Sequence, residues 1–246
     1  MAKLEKGLLI AIEGIDGAGK TTQAHLLEQR LVGLGYEVLY TKEPTNGKWG
    51  QMIRQSKVEG RLNPDEEYGA FINDRREHVA DVIEPQLADG TIVIVDRYYF
   101  STIAYQGATG IKEWKTIQAE NEAFAPRPDL LVILEMEPAE SIKRICERDE
   151  KPDSFESVEN LSDCRDIFDQ IEGDFVMRID GRKSIDAINQ EILTKIRDSL
   201  LFSRLCAKGK SNDDHCTAPN CVLMEGCPYF GFLPAASSPE RTEIEG

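Results

Sequence analysis

The nine residues GIDGAGKTT, Gly14 to Thr22, lie between the apolar run LLIAIE and the stretch QAHLLEQRLVGLG, whose apolar residues recur at helical spacing. A strand, a glycine-rich loop and a helix in that order leave few folds open. Gly14, Gly19, Lys20 and Thr21 match GxxxxGK[ST] in the context that this motif requires. Backbone N–H groups of such a loop close around phosphate oxygens, and the helix that follows points its positive end at them. Lys20 is placed to reach the β- and γ-phosphates, and the Thr21 hydroxyl is placed for Mg²⁺. The whole stretch, Gly14, Ile15, Asp16, Gly17, Ala18, Gly19, Lys20, Thr21 and Thr22, is therefore predicted to bind ATP or GTP.

Downstream, short runs rich in Val, Ile and Leu alternate with amphipathic stretches. Strands are predicted at Leu8 to Ile12, Val38 to Thr41, Ile92 to Val95, Leu130 to Leu134 and Phe175 to Ile179. This is the pattern of an α/β sheet flanked by helices. In NPDEEYGAFINDRREHVADVIEPQL, Asn63 is a cap, Pro64 suits the first helical position, and Glu66 completes a capping box. Ser184 is placed to cap a last helix, IDAINQEILTKIRDSLL. Composition changes after about residue 203. Residues 1–203 are read as one domain and residues 204–246 as a Cys-rich extension with a disordered polar end.

The net charge of −15 repels polyanions, which argues against nucleic acid as a partner. A small anion can still be held where a few Arg and Lys converge. No apolar run reaches the length of a membrane span, and MAKLEKGLLIAIEG reads as a first strand rather than a leader, so a cytoplasmic location is expected.

Two further segments carry candidate chemistry. In IVIVDRYYFSTIAYQG, Asp96 and Arg97 are expected at a strand's C-terminal end, where open α/β sheets bind ligands. The Asp96 carboxylate there can serve Mg²⁺, in part through water. In AFINDRREHV, Arg75 and Arg76 cannot face the same way on a helix, so at most one enters a cleft. Phe71 shares a face with Arg75, and a ring beside a guanidinium suits a flat base carrying a phosphate.

Together IEGIDGAGKTTQ, TKEPT, FINDRREH, VDRYYFSTIAYQG and RPDLLVILEMEPAESIKR resemble the thymidylate kinase family of P-loop nucleoside monophosphate kinases over about residues 7 to 200. The resemblance implies a three-layer fold with a mostly parallel five-stranded sheet, transfer of the γ-phosphoryl of ATP to dTMP, an Mg²⁺ requirement and a homodimer formed through helices around residues 64 to 107. By resemblance, Asp16 approaches the acceptor's phosphate and 3′-hydroxyl side. Phe71 stacks on the base, Arg75 contacts the base or the phosphate, and Arg97 holds the acceptor phosphate. Ser101, Thr102 and Tyr105 line the base and sugar pocket, with Tyr105 crowding a 2′-hydroxyl.

The chain departs from the family pattern at two places. Lys42 stands where Arg is usual, which keeps the charge and loses the fork. Gly17 stands where some members carry a loop arginine. The missing charge is expected from a lid at about residues 143–156, with Arg148 preferred and Arg144 second.

Cys206, Cys216, Cys221 and Cys227 crowd the extension beside His215. Four thiolates can hold Zn²⁺ or an iron–sulfur cluster, yet their spacing matches no paired CxxC signature, so an unliganded or redox-labile tail is the alternative. Cys146 and Cys164 read as ordinary helix residues. Two other functions stay open on sequence alone: a nucleoside monophosphate kinase of altered base choice, and a nucleotide-binding regulatory protein with a sensing tail.

Overall fold

The five apolar runs all become strands, and the computed structural model describes residues 1–60, 62–147 and 157–201 of the chain. The strands are β1 (Leu8–Glu13), β2 (Val38–Lys42), β3 (Ile92–Asp96), β4 (Leu130–Glu135) and β5 (Val176–Asp180). They form one sheet in the order β2-β3-β1-β4-β5, and every pair is parallel. The three central strands are buried almost end to end, as continuous apolar sequence requires, whereas the edge strands β2 and β5 are only half-buried.

Among the described residues the helices are α1 (Lys20–Gly33), α2 (Lys48–Glu59), α3 (Pro64–His78), α4 (Glu84–Ala88), α5 (Tyr99–Ala108), α6 (Trp114–Glu122), α7 (Pro138–Cys146), α8 (Val158–Asp169) and α9 (Ile185–Lys195). Helix α1 packs on α9, and α5 packs on α3, α6 and α8. Asn63 and Glu66 form the expected capping box, and the Ser184 hydroxyl accepts from the Ala187 N–H at 3.2 Å. The long helix read from Pro64 onward is interrupted by a π-helical turn at Val79–Ile83 before α4 resumes it. Periodicity cannot show such a turn, because one inserted residue shifts the apolar stripe without breaking it.

The strand order reverses about β1, which has β3 on one side and β4 on the other. A crevice opens outside the C-terminal ends of strands at such a point. Parallel register aligns Ile12 with Asp96 and Lys42 with Asp96, so the ends of β1, β2 and β3 arrive there together. The preferred lid residue Arg148 and the four extension cysteines lie outside the described residues, as does most of the predicted lid. Among the described residues no group of three or more His, Cys, Asp or Glu could hold a metal ion. Cys146 lies exposed in α7, and Cys164 is buried in α8.

Candidate active site

Residues 14–19 join β1 to α1. Gly19, at φ 97°, ends the loop in the left-handed region and leaves the first turn of α1 without a side-chain cap. The N–H groups of that turn are thus available to an anion. The Lys20 ammonium donates to the Ile15 carbonyl at 2.8 Å. Burial, and then the nearby Arg97, push its pKa down to about 8 against the pull of the surrounding carboxylates. Gly17, at φ +79°, has no room for a side chain: a Cβ would stand 2.7 Å from the Ser141 carbonyl oxygen. The Ser141 hydroxyl of α7 also donates to the Asp16 carbonyl. Helix α7 is therefore seated on the phosphate loop at Gly17.

At the end of β3, Asp96 and Arg97 do not pair with each other. The Thr21 hydroxyl donates to Asp96 Oδ2 at 2.5 Å, while Asp96 Oδ1 is buried with no hydrogen-bond partner among the described residues. Arg97 donates to Asp16, which also accepts from the Tyr105 hydroxyl at 2.9 Å. Burial presses the Asp16 carboxyl up, but Arg97, then Lys20 and Tyr105, more than offset it and hold it well below the usual range. Tyr105, raised well above its ordinary value by burial and by Asp16, stays protonated and keeps donating.

Arg97 has φ +66°, a strained conformation for a side chain of its size. β1 holds the turn on both sides of it. The Arg97 N–H donates to the Ile12 carbonyl at 3.1 Å, and the Tyr98 and Ser101 N–H groups donate to Glu13 Oε1 at 2.7 and 3.0 Å. Glu13 Oε2 accepts from the Ser101 hydroxyl at 2.6 Å, so a carboxylate from β1 does the work of an N-cap for α5. Burial pushes Glu13 up to about 7, opposed by these hydrogen bonds and then by Arg97 and Lys20. Sequence reading missed this role. Glu13 stands inside a quoted motif, but nothing in its spacing says that it reaches residue 101.

One cavity of about 330 Å³ runs from Asp16, Thr21, Asp96 and Arg97 to Phe71, Arg75, Thr102, Tyr105 and Gln106, with Ser101 on its wall and Lys42 at its edge. Of the two helix arginines, Arg75 is 1% exposed and faces this cavity, whereas Arg76 is exposed with its guanidinium over the Phe124 ring. Arg75 donates to Glu43 through Nε and Nη2, to Thr102 through Nη2 and to Asn121 through Nη1. Four of its five N–H groups are thereby engaged. The fifth, on Nη1, has no partner among the described residues. Burial alone would raise Glu43, yet Arg75 and His78 hold it below its ordinary value. Glu43 and Gln106 are further site residues that periodicity did not single out. Arg144 is turned away from the cavity and donates to the Gly181 carbonyl at 3.2 Å.

A phosphate loop opening a parallel sheet, with a second charged pocket beside it, defines the class as a P-loop phosphotransferase. A family model described as thymidylate kinase matches residues 12–192. The thymidylate kinase of Xylella fastidiosa strain 9a5c is 46% identical over 202 residues, covering 82% of this chain and 96% of that one. Those of X. fastidiosa strain M12 and Xanthomonas oryzae pv. oryzae strain PXO99A are each 49% identical over 181 residues, covering 74% of this chain and 80% and 76% of theirs. The chain belongs to the thymidylate kinase family, whose reaction is the ATP-dependent phosphorylation of dTMP to dTDP.

Proposed function

We propose that the 330 Å³ cavity is the acceptor site, with the dTMP phosphate at its phosphate-loop end and the base at its Arg75 end. The observation that carries this reading is the reach of that single cavity, from Asp16 and Arg97 at one end to Phe71 and Arg75 at the other. Phosphoryl transfer needs alignment and charge neutralisation more than covalent help. Lys20 reaches the moving phosphoryl group from the donor side. Arg97 holds the acceptor phosphate in line, and its partner Asp16 orients the sugar side. The acceptor phosphate is already an anion, so no general base is required.

Phe71 supplies a stacking face for the base. The free Nη1 N–H of Arg75 suits a ring carbonyl and meets an exocyclic amine badly, which favours thymine over cytosine. Thr102 and Tyr105 shape the wall beside base and sugar, while the Ser101 hydroxyl serves mainly to hold Glu13. Thr21 and the unpartnered Asp96 Oδ1 fit the Mg²⁺ that accompanies ATP in this class. The ion supplies neutralisation of phosphate charge. A lid arginine, Arg148 before Arg144, provides the charge that Gly17 cannot carry.

Coupled ADP release with ATP and Mg²⁺, offering dTMP, dUMP, dCMP, UMP, AMP and GMP in parallel, tests the assignment. A strong preference for dTMP is expected. Preference for another monophosphate, or no turnover, overturns it. The family resemblance also supports a cytoplasmic homodimer joined through helices of residues 64 to 107. A monomeric mass in solution scattering at micromolar concentration would exclude the dimer. No described helix is long and apolar enough to cross a membrane.

A further inference from the structure

Behind Arg75 lies a run of buried hydrogen bonds that phosphoryl transfer itself leaves unused. His78 follows Arg75 by one helical turn and ends α3, immediately before the π-helical turn. Its Nδ1 lies 3.0 Å from Glu43 Oε1, and its Nε2 lies 2.8 Å from the Thr41 hydroxyl of β2. Glu43 Oε2 accepts the Nε and Nη2 protons of Arg75 at 2.8 and 2.6 Å. Each Glu43 oxygen is therefore held by a different residue of α3. A carboxylate only accepts, so His78 Nδ1 carries the proton, and in the neutral ring Nε2 accepts from Thr41.

Glu43, Arg75 and His78 are each at most 5% exposed, so water poorly replaces a partner lost among them. Released from His78, the Glu43 carboxylate would be free to rotate about its last bond, and the guanidinium paired to it would tilt. The one unengaged N–H of Arg75 would then leave its line. We propose that His78 is a positioning residue of the acceptor site, setting the plane of the Arg75 fork through Glu43. This rests on the acceptor-site reading given above.

The test is a series at residue 78, with steady-state kinetics in both substrates. An Asn amide stands near the place of Nδ1, and a Gln amide near that of Nε2. His78→Asn therefore keeps the bond to Glu43, and His78→Gln keeps only the bond to Thr41. His78→Ala and His78→Gln are expected to raise the dTMP KM about tenfold, the size of one lost buried charge-assisted hydrogen bond. The ATP KM and kcat should stay within about twofold, and His78→Asn should return the dTMP KM to within about threefold of wild type. A His78→Asn variant as impaired as His78→Gln, or an ATP KM that climbs in step with the dTMP KM, overturns the proposal. Arg75→Lys belongs in the same series: if it leaves the dTMP KM unchanged, the acceptor-site reading itself fails.

Discussion

Around the phosphate-loop end of the cavity, Asp16, Asp96 and Arg97 come from strand ends or from the turns directly after them, and Lys20 opens α1. At the base end, Glu43, Arg75, His78, Thr102 and Asn121 come from four separate segments and meet only in the folded chain. In the first group Lys20 and Asp96 are buried, but the paired Asp16 and Arg97 side chains keep contact with solvent, at 22% and 24% exposed. The second is desolvated, and apart from one Arg75 N–H its charged groups are paired. The Asp16–Arg97 pair at the loop end can exchange its partner for a phosphate at modest cost, because water already reaches it. At the base end a missing partner leaves a buried charge uncompensated. One end is therefore built to rearrange around a ligand and the other to stay as it is.

The sharpest way to break this comparison is Glu43→Ala. It should cost about 3–5 kcal/mol of stability, as removal of one partner of a buried ion pair does. Thermal unfolding measures this directly, and a Tm within a degree or two of wild type would show that the base end is not the rigid half. Arg97→Ala should do the reverse. Turnover with dTMP should fall on the order of 100-fold, about 2.7 kcal/mol of transition-state stabilisation, while the Tm changes little. Normal turnover in this variant would remove Arg97 from the mechanism.

Glu13 lies between the two behaviours, because it is buried like the base end yet supports the turn that carries Arg97. Its value of about 7 in the folded chain lies above its ordinary 4.5, so the folded state holds the proton more tightly than the unfolded state. The cost of burying the ionised carboxylate is absent below about pH 4.5 and fully imposed above about pH 7. Relative to wild type, Glu13→Gln should therefore gain stability as pH rises through that window, by on the order of 1–3 kcal/mol. Parallel Tm curves for the two proteins would contradict the shift. The smallest effect is expected from Lys42→Arg. Restoring a fork at the exposed cavity edge should raise kcat/KM for dTMP by about threefold at most, and a clear decrease would mean that Lys42 is matched to this site.

The loop end was legible in the sequence for a local reason. GIDGAGKTT and VDRYYFSTIAYQG each follow a strand, and in a parallel sheet the residues after neighbouring strands necessarily converge. The choice between Arg75 and Arg76 was also legible in part, since helical geometry forbids both from entering one cleft. Which of them enters depended on where α3 packs. The pairing of Arg97 with Asp16, rather than with its neighbour Asp96, was not readable from adjacency, because the left-handed turn at Arg97 sends the two side chains to different partners.

By itself, then, the sequence determined the α/β class, the five strands, the phosphate loop and the caps of α3 and α9, because each rests on interactions within a few residues or on a regular period. Only the tertiary structure decided that Glu13 caps a helix more than eighty residues away, that Ser141 excludes a side chain at Gly17, and that Glu43 is shared between Arg75 and His78. Those outcomes depend on which buried polar groups find each other once water is excluded, and neither spacing nor composition carries that information.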